Sequence, residues 1–218
     1  MERRNKVRDY KEEFEKRIAF IQKALRESGA KGIVYGNSGG KDSALVGALC
    51  KAACDNTVGI IMPCASKRNF DQDAKDGAEV AEKFGIETRT ADLTELKKLA
   101  LEIYTGVTKV SATASANIGP RLRMMTLYSV AASEGRLVAG TGNRSEGYMG
   151  YFTKWGDGAY DINPIADLTV TEIYEFLEYL NAPVRYRKSP LCGAVRGADG
   201  RGRDGRDLCR HRQISFHG

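Results

Sequence analysis

Short apolar runs alternate along the chain with stretches whose apolar residues recur every three or four positions. The runs are KGIVYG (31–36), TVGIIMP (57–63), IETRTADL (86–93) and RLVAGT (136–141), and the helical stretches span 41–54, 71–84, 94–104 and 121–133. Buried strands that alternate with helices form parallel sheets with helices on both faces. The pattern therefore predicts an α/β fold, a three-layer doubly wound parallel sheet of about five strands.

Amphipathic helices are predicted on either side of this alternation, over residues 9–28 and 171–180. Pro120 is expected in the first turn of the helix 121–133, where its missing N–H costs little. The segment 142–164, GNRSEGYMGYFTKWGDGAYDINP, is rich in glycine and polar residues. Beside a parallel sheet, a loop this long is usually functional or mobile.

The composition fits one globular domain, because 42% of the 218 residues are hydrophobic and 28% are charged. No apolar run approaches the roughly twenty residues of a membrane span. The charged N-terminal segment has no signal-peptide pattern, so we expect a cytoplasmic protein without a membrane partner. The five cysteines have no zinc-site spacing and are expected to be free thiols.

The positive charge is concentrated at the C-terminal end. Residues 191–218 hold six Arg and three Asp, which leaves 28 basic and 25 acidic side chains in residues 1–190. A body this mildly basic favours a nucleotide ligand over a nucleic-acid partner. We therefore expect one domain over 1–190, followed by a Gly/Arg-rich tail over 191–218 with no helical or strand pattern, which one interpretation takes as disordered.

The segment GNSGGKDS (36–43) follows the first predicted strand and opens a predicted helix. Backbone N–H groups of a glycine-rich loop and the N-terminus of the next helix together bind anions, so phosphate is the expected ligand. The spacing fits neither the Walker A loop nor the Gly-x-Gly-x-x-Gly fingerprint. An ordinary turn before a helix is the structural alternative.

This loop resembles the Ser-Gly-Gly-x-Asp-Ser loop of the PP-loop ATP pyrophosphatases, which split ATP between its α- and β-phosphates. The loop alone leaves amidotransferases, tRNA-modifying enzymes and other adenylating enzymes open. The segments 117–128 (NIGPRLRMMTLY) and 140–169 (GTGNRSEGYMGYFTKWGDGAYDINPIADLT) resemble those of NAD synthetases. From about residue 12 to Pro190, the chain is similar to the ammonia-dependent NAD synthetases.

The resemblance implies a Rossmann-like, adenine nucleotide α-hydrolase-like fold and a two-step reaction. The carboxylate of deamido-NAD attacks the α-phosphorus of ATP, and ammonia then displaces AMP from the acyl adenylate to give NAD. It further implies Mg²⁺ as cofactor, a homodimer whose deamido-NAD site spans the interface, and no fused glutaminase domain. Two alternatives stay open: a tRNA-modifying PP-loop enzyme, and a nucleotide-binding synthetase with weak activity or none.

The resemblance also implies roles for individual residues. The ATP-binding positions are Gly36, Ser38, Gly39, Gly40, Lys41, Asp42, Ser43, Met62, Arg121 and Thr141. The deamido-NAD positions are Asn117, Arg121, Lys154, Asp157 and Asp161. Asp42 and Glu146 would hold magnesium, and the catalytic set is Asp42, Glu146 and Lys154. The structural alternatives place Thr141 in a turn, Glu146 on a solvated face, and Asn117 with Arg121 in the polar stripe of a surface helix.

Two departures from the family pattern bear on activity. The family commonly has a lysine near the phosphates where this chain has Val170, so either another cation substitutes or activity is weakened. The second departure is the tail. Back-translation permits a family-like segment beginning Ser-Ala-Gly-Leu-Phe-Glu-Gly directly after Pro190, so we hypothesise that a one-base frameshift separates the tail from the natural end. That natural segment packs beside the active site in the family, and its loss would slow turnover.

Overall fold

The computed structural model describes residues 8–64 and 70–183, without the side chains of residues 70–74. These residues form one parallel sheet of four strands: β1 (Gly32–Gly36), β2 (Thr57–Ile61), β3 (Glu87–Thr90) and β4 (Arg136–Ala139). The spatial order is β3-β2-β1-β4. A single parallel bridge between Ala139 and Ile162 lies beside β4. The predicted doubly wound parallel sheet is confirmed, with four strands and this bridge where about five strands were expected.

Helices cover both faces of the sheet and begin and end mostly near their predicted positions. They are α1 (Tyr10–Ser28), α2 (Lys41–Ala53), α3 (Phe70–Phe84), α4 (Thr94–Val107), α5 (Ala112–Glu134), α6 (Arg144–Met149) and α7 (Val170–Tyr179). Local signals explain the agreement in α1. The Asp9 side chain accepts hydrogen bonds from the first backbone N–H groups, and Gly29 ends the helix in the left-handed conformation at φ 70°.

Two apolar cores lie on opposite faces of the sheet because successive residues of β1 point to opposite sides. Ile33 and Tyr35 pack into the core that contains side chains of α1, α2 and α7. Val34 packs into the other core, which β2 and α5 share. These three residues of β1 are fully buried, so β1 is the centre of a three-layer structure.

The predicted start of α5 is wrong. The helix begins at Ala112, where the hydroxyl of Ser111 accepts a hydrogen bond from the N–H of Ala114, and Pro120 lies inside the helix. An interior proline removes one helical hydrogen bond and crowds the carbonyl group four residues earlier, yet the helix continues on either side of Pro120. The long segment 142–164 also differs from the prediction, because it contains the short helix α6.

None of the helices in the described part of the chain is long and apolar enough to cross a lipid bilayer. Cys50, Cys54 and Cys64 are free thiols, as predicted. Cys192 and Cys209 lie outside the described residues, and so does the predicted tail over 191–218.

Candidate functional site

The candidate site lies where the chain reverses the direction in which it adds strands. From β1 the chain moves outward through β2 to β3 and then returns to place β4 on the other side of β1. Such a switch point leaves a crevice at the carboxyl ends of the strands. A cavity of about 360 Å³ lies there, lined by segments 36–38 after β1, 60–63 at the end of β2, 138–141 at the end of β4, and by α5 and residues 156–159.

The loop after β1 is held in shape by its own side chains. Asn37 is buried, donates to the carbonyl oxygen of Gly77 at 2.9 Å and accepts from the N–H of Gly39 at 3.3 Å. Gly39 has a φ of 72°, a conformation that favours glycine. The hydroxyls of Ser38 and Ser43 are 3.1 Å apart. Contacts within the protein therefore hold the loop in shape.

The N-terminus of α2 points into this loop. Its N-cap is Gly40, which has no side chain to cap the first N–H groups. A helix N-terminus carries partial positive charge and offers N–H donors to an anion. The arrangement supports binding of a phosphate group by residues 38–43.

Two charged side chains lie at the first turn of α2. The ammonium of Lys41 is 2.8 Å from one carboxylate oxygen of Asp42. Burial opposes the charge on Lys41, but Asp42 outweighs it, and the pKa of Lys41 is raised. The same amine is within electrostatic range of Tyr174 on α7 and of Glu146. A cation therefore lies close to the helix that begins at Val170.

Glu146 lies on α6, across the switch point from Asp42. Its carboxylate accepts a hydrogen bond from the backbone N–H of Asn143 at 3.1 Å, and the Asn143 side chain caps the helix in return. Burial raises the pKa of Glu146 although the Asn143 bond opposes this, and the nearby Asp42 charge raises it further. Glu146 is thus partly buried, and the alternative of a solvated face is wrong.

The two carboxylates suit a magnesium ion that is also bound by substrate. The described residues contain no group of three or more His, Cys, Asp or Glu side chains that could hold a metal alone. Mg²⁺ is usually held by one or two carboxylates together with substrate phosphates and water. Asp42 and Glu146, beside the glycine-rich loop 36–43, are compatible with that requirement.

A second cluster joins α5 to the loop that follows α6. Asn117 is buried and accepts a hydrogen bond from the hydroxyl of Thr153 at 2.9 Å, so it does not belong to an exposed polar stripe. The backbone N–H of Thr153 donates to Asp157 at 2.8 Å. Arg121 approaches the carbonyl oxygen of Lys154 at 3.4 Å, and the Lys154 amine lies 5.7 Å from the ring centre of Trp155.

The cavity brings together part of the predicted set. Gly36, Ser38, Met62, Thr141 and Asp157 line it, whereas Gly39, Gly40, Lys41, Asp42, Ser43, Asn117, Arg121, Glu146, Lys154 and Asp161 are not among its lining residues. Asp161 accepts hydrogen bonds from the N–H of Val138 at 2.8 Å and from the hydroxyl of Tyr128 at 3.1 Å. Its carboxylate therefore joins the end of β4 to α5.

The NAD synthase family matches residues 13–197 of the sequence. The chain belongs to the NAD synthase family. An NH(3)-dependent NAD(+) synthetase from Carboxydothermus hydrogenoformans is 40% identical over 201 residues, which cover 90% of this chain and 82% of that protein.

Solved structures of two synthetases share the fold. The NMN synthetase from Francisella tularensis has 34% identity and a TM-score of 0.77, covering 84% of this chain and 76% of its own. The NH3-dependent NAD synthetase from Campylobacter jejuni, solved with nitrate ion, has 32% identity and a TM-score of 0.74, covering 83% and 77%.

The sequence interpretation missed two residues at the candidate site. Arg123 lines the cavity and donates from Nε to the carbonyl oxygen of Met62 at 3.0 Å, which fixes the end of β2. Its signal was the second arginine of the RLR motif. Asn143 joins Asp42 to Glu146, and the Asn-x-x-Glu spacing of a capping box marks it.

Proposed function

We propose that this protein catalyses the ATP-dependent amidation of deamido-NAD by ammonia and forms NAD, AMP and pyrophosphate. Membership of the NAD synthase family supports the reaction. The structural observation that carries the proposal is a glycine-rich loop at the N-terminus of α2, at the switch point of the sheet, with Asp42 and Glu146 beside it. The same relatives do not favour a tRNA-modifying enzyme.

ATP is proposed to lie with its pyrophosphate on the loop and its adenosine in the cavity. Ser38, Gly39, Gly40 and Ser43 surround the N-terminus of α2, where N–H groups stabilise the charge that develops on the leaving pyrophosphate. Met62 lies at the end of β2 and Thr141 at the end of β4, on two sides of the cavity. Gly36 lines the cavity at the end of β1, where an added Cβ would lie 3.3 Å from Cε of Met62.

Magnesium is proposed to bind Asp42 and Glu146. When bound, it neutralises negative charge on the phosphate oxygens of ATP. Lys41 is proposed to provide a further positive charge next to α7, which compensates for Val170. The raised pKa of Lys41 supports this, because the amine stays charged beside Asp42.

Deamido-NAD is proposed to bind near the cluster of α5 and the loop after α6. Arg121 and Lys154 offer positive charge to its phosphates, and Asn117 and Asp157 hold the loop in place. In this arrangement Lys154 lies close to the acyl group and acts as a catalytic residue. We place Asp161 at the border of this site through its bond with Tyr128.

A homodimer is proposed because apolar side chains are exposed on α4 and α5. On α4, Leu96, Leu99, Ile103 and Val107 recur at helical spacing and are 46%, 52%, 56% and 82% exposed. Met125 on α5 is 57% exposed. Burial of this surface between two copies would remove it from water. Sedimentation of wild type and of a Leu99→Glu variant tests the dimer. Wild type should sediment as a dimer and Leu99→Glu as a monomer, and a monomeric wild type would contradict the proposal.

The reaction is tested with purified protein, deamido-NAD, ATP, magnesium chloride and ammonium chloride, with NAD measured by chromatography. NAD should form with ammonium, and glutamine in its place should give none. Because one structural neighbour is an NMN synthetase, nicotinate mononucleotide serves as a second acceptor, and deamido-NAD should be preferred. The assay is run on this chain and on a version in which the family-like segment after Pro190 is restored. Nucleotide binding without NAD formation in both versions would refute the proposal.

The Gly/Arg-rich segment 191–218 is proposed to result from a one-base frameshift after the codon of Pro190. Sequencing the coding DNA around that codon tests the idea, because stop codons in the shifted frame would exclude it. If the frame is shifted, restoring the family-like segment should raise the rate of NAD formation.

A further inference from the structure

Asn143 contacts both carboxylates of the proposed magnesium site. Its side-chain Nδ2 donates to Oδ1 of Asp42 at 3.1 Å, across 101 positions of sequence. Its Oδ1 accepts from the N–H of Glu146 at 3.0 Å, and its own N–H donates to Oε2 of Glu146 at 3.1 Å. The side chain of Asn143 is buried, at 3% exposure.

We propose that Asn143 is a positioning residue that fixes the carboxylates of Asp42 and Glu146 relative to each other, so that both can be ligands of one magnesium ion. The proposal rests on the proposed function, because it takes these two carboxylates as the ligands. It goes further because it assigns the placement of the two carboxylates to Asn143. As a positioning residue, Asn143 need not contact ATP or deamido-NAD.

The need for such a residue follows from the charges. Asp42 and Glu146 come from different helices on opposite sides of the switch point, and like charges repel each other when no metal lies between them. An amide side chain can accept from one helix and donate to the other carboxylate at the same time. Removal of a hydrogen-bond partner that orients a metal-binding carboxylate typically weakens metal affinity about 10- to 100-fold.

A role in helix capping alone would not require the contact with Asp42. The cap of α6 needs only an oxygen acceptor at position 143, and serine supplies one nearly as well as asparagine. The bond to Asp42 requires a donor that reaches from α6 to α2. The neighbouring backbone is fixed independently, since the N–H of Arg144 donates to the carbonyl of Leu168 at 2.8 Å and Asn163 donates to the carbonyl of Gly142 at 2.8 Å.

The test separates the two contacts of Asn143. Asn143→Ser keeps a cap acceptor and removes the donor that reaches Asp42. Ser111→Ala, at the start of α5, removes a helix cap that does not touch Asp42 and serves as the control for loss of a cap. The probe is Mn²⁺, titrated by electron paramagnetic resonance in the presence of α,β-methylene-ATP, which cannot be cleaved at that bond.

Asn143→Ser should weaken Mn²⁺ binding about tenfold and leave the affinity for the ATP analogue in EDTA unchanged. Ser111→Ala should lower the unfolding temperature and leave Mn²⁺ affinity as in wild type. Unchanged Mn²⁺ affinity in folded Asn143→Ser overturns the proposal, as does the absence of Mn²⁺ binding to wild type. Asn143→Thr, which lacks the same donor, replaces the serine variant if that variant is unstable.

These measurements are independent of turnover. If wild type binds Mn²⁺, Asn143→Ser binds it more weakly and no NAD forms even with the restored C-terminal segment, the proposed function fails and the role of Asn143 stands. If NAD forms and folded Asn143→Ser binds Mn²⁺ as wild type does, the proposed function stands and the role of Asn143 fails.

Discussion

The hydroxyl of Thr153 donates a hydrogen bond to Oδ1 of Asn117 at 2.9 Å, and both side chains are buried. This bond joins α5 to the loop after α6, which are the two segments that carry the proposed deamido-NAD residues. The loop therefore takes its position from a buried polar contact. Removal of one partner leaves the other without a hydrogen bond in a site that excludes water.

Asn117→Ala should lower the free energy of unfolding by about 1–3 kcal/mol, because it leaves the buried Thr153 hydroxyl without its acceptor. Thr153→Val, which nearly keeps the side-chain volume, should cost less in the Asn117→Ala background than in wild type. Urea unfolding of both single variants and the double variant measures the coupling energy. If the losses in free energy of unfolding of the two single variants add up to that of the double variant, the two side chains do not depend on each other.

Asp42→Ala should reduce pyrophosphate release at least 100-fold while the fold stays intact. The variant removes a proposed magnesium ligand from the loop and leaves the Lys41 amine without its carboxylate partner. Asp55→Ala is the matched control, because Asp55 lies just after the same helix and its side chain is fully exposed. Pyrophosphate release measured with deamido-NAD and ATP, alongside circular dichroism, checks the prediction. A wild-type rate in folded Asp42→Ala would remove Asp42 from the mechanism.

The sequence was sufficient to predict the sheet and a glycine-rich loop between β1 and α2, because both depend on local patterns. Four apolar runs indicated the strands, and the glycines of 36–43 indicated the loop. The start of α5 was not predictable from Pro120 alone. Whether a helix continues through a proline depends on the residues that pack around it. The capping box at 143–146 was a local signal for α6 that the glycine-rich composition obscured.

The contacts that assemble the site could not be predicted from the sequence. Asn143 and Asp42 are 101 positions apart, and Arg123 and Met62 are 61 positions apart. Nothing in either local sequence specifies its partner, because the partner is determined by the order of strands in the sheet. Motifs therefore identified the chemical groups, and only the fold showed which residues hold those groups in place.

Gly47→Ala should destabilise the protein by about 1–3 kcal/mol, because the added methyl group has no space. A Cβ there would lie 2.4 Å from the hydroxyl oxygen of Tyr35, a fully buried side chain of β1. Gly106→Ala on α4 is the control, because a Cβ there meets nothing within 4 Å and alanine favours a helix by up to about 1 kcal/mol. Urea unfolding of both variants should give opposite signs. Equal stability of Gly47→Ala and wild type would show that Tyr35 can move.

Arg17 and Asp167 form a two-bond ion pair between α1 and the segment before α7, with N–O distances of 2.8 and 3.0 Å. The hydrogen bond and charge of Arg17 lower the pKa of Asp167 from 3.8, although partial burial opposes the change. A carboxyl group whose pKa is lower in the folded protein binds fewer protons there than in the unfolded chain. Its contribution to stability is therefore complete above about pH 5 and is lost as the pH falls through its folded pKa.

Asp167→Asn should accordingly lower the free energy of unfolding at pH 7 by about 1 kcal/mol, a modest figure because the Asp167 side chain is half exposed. The difference between variant and wild type should shrink as the pH falls below 3.8, because the carboxyl group takes up its proton first in the unfolded chain and only at lower pH in the folded protein. Asp55→Asn, at an exposed ion pair with Lys51, is the control and should cost less at pH 7. Urea unfolding at a series of pH values between about 3 and 7 measures both differences. A destabilisation by Asp167→Asn that stays constant across this range would show that packing, and not the charge of Asp167, joins α1 to this segment.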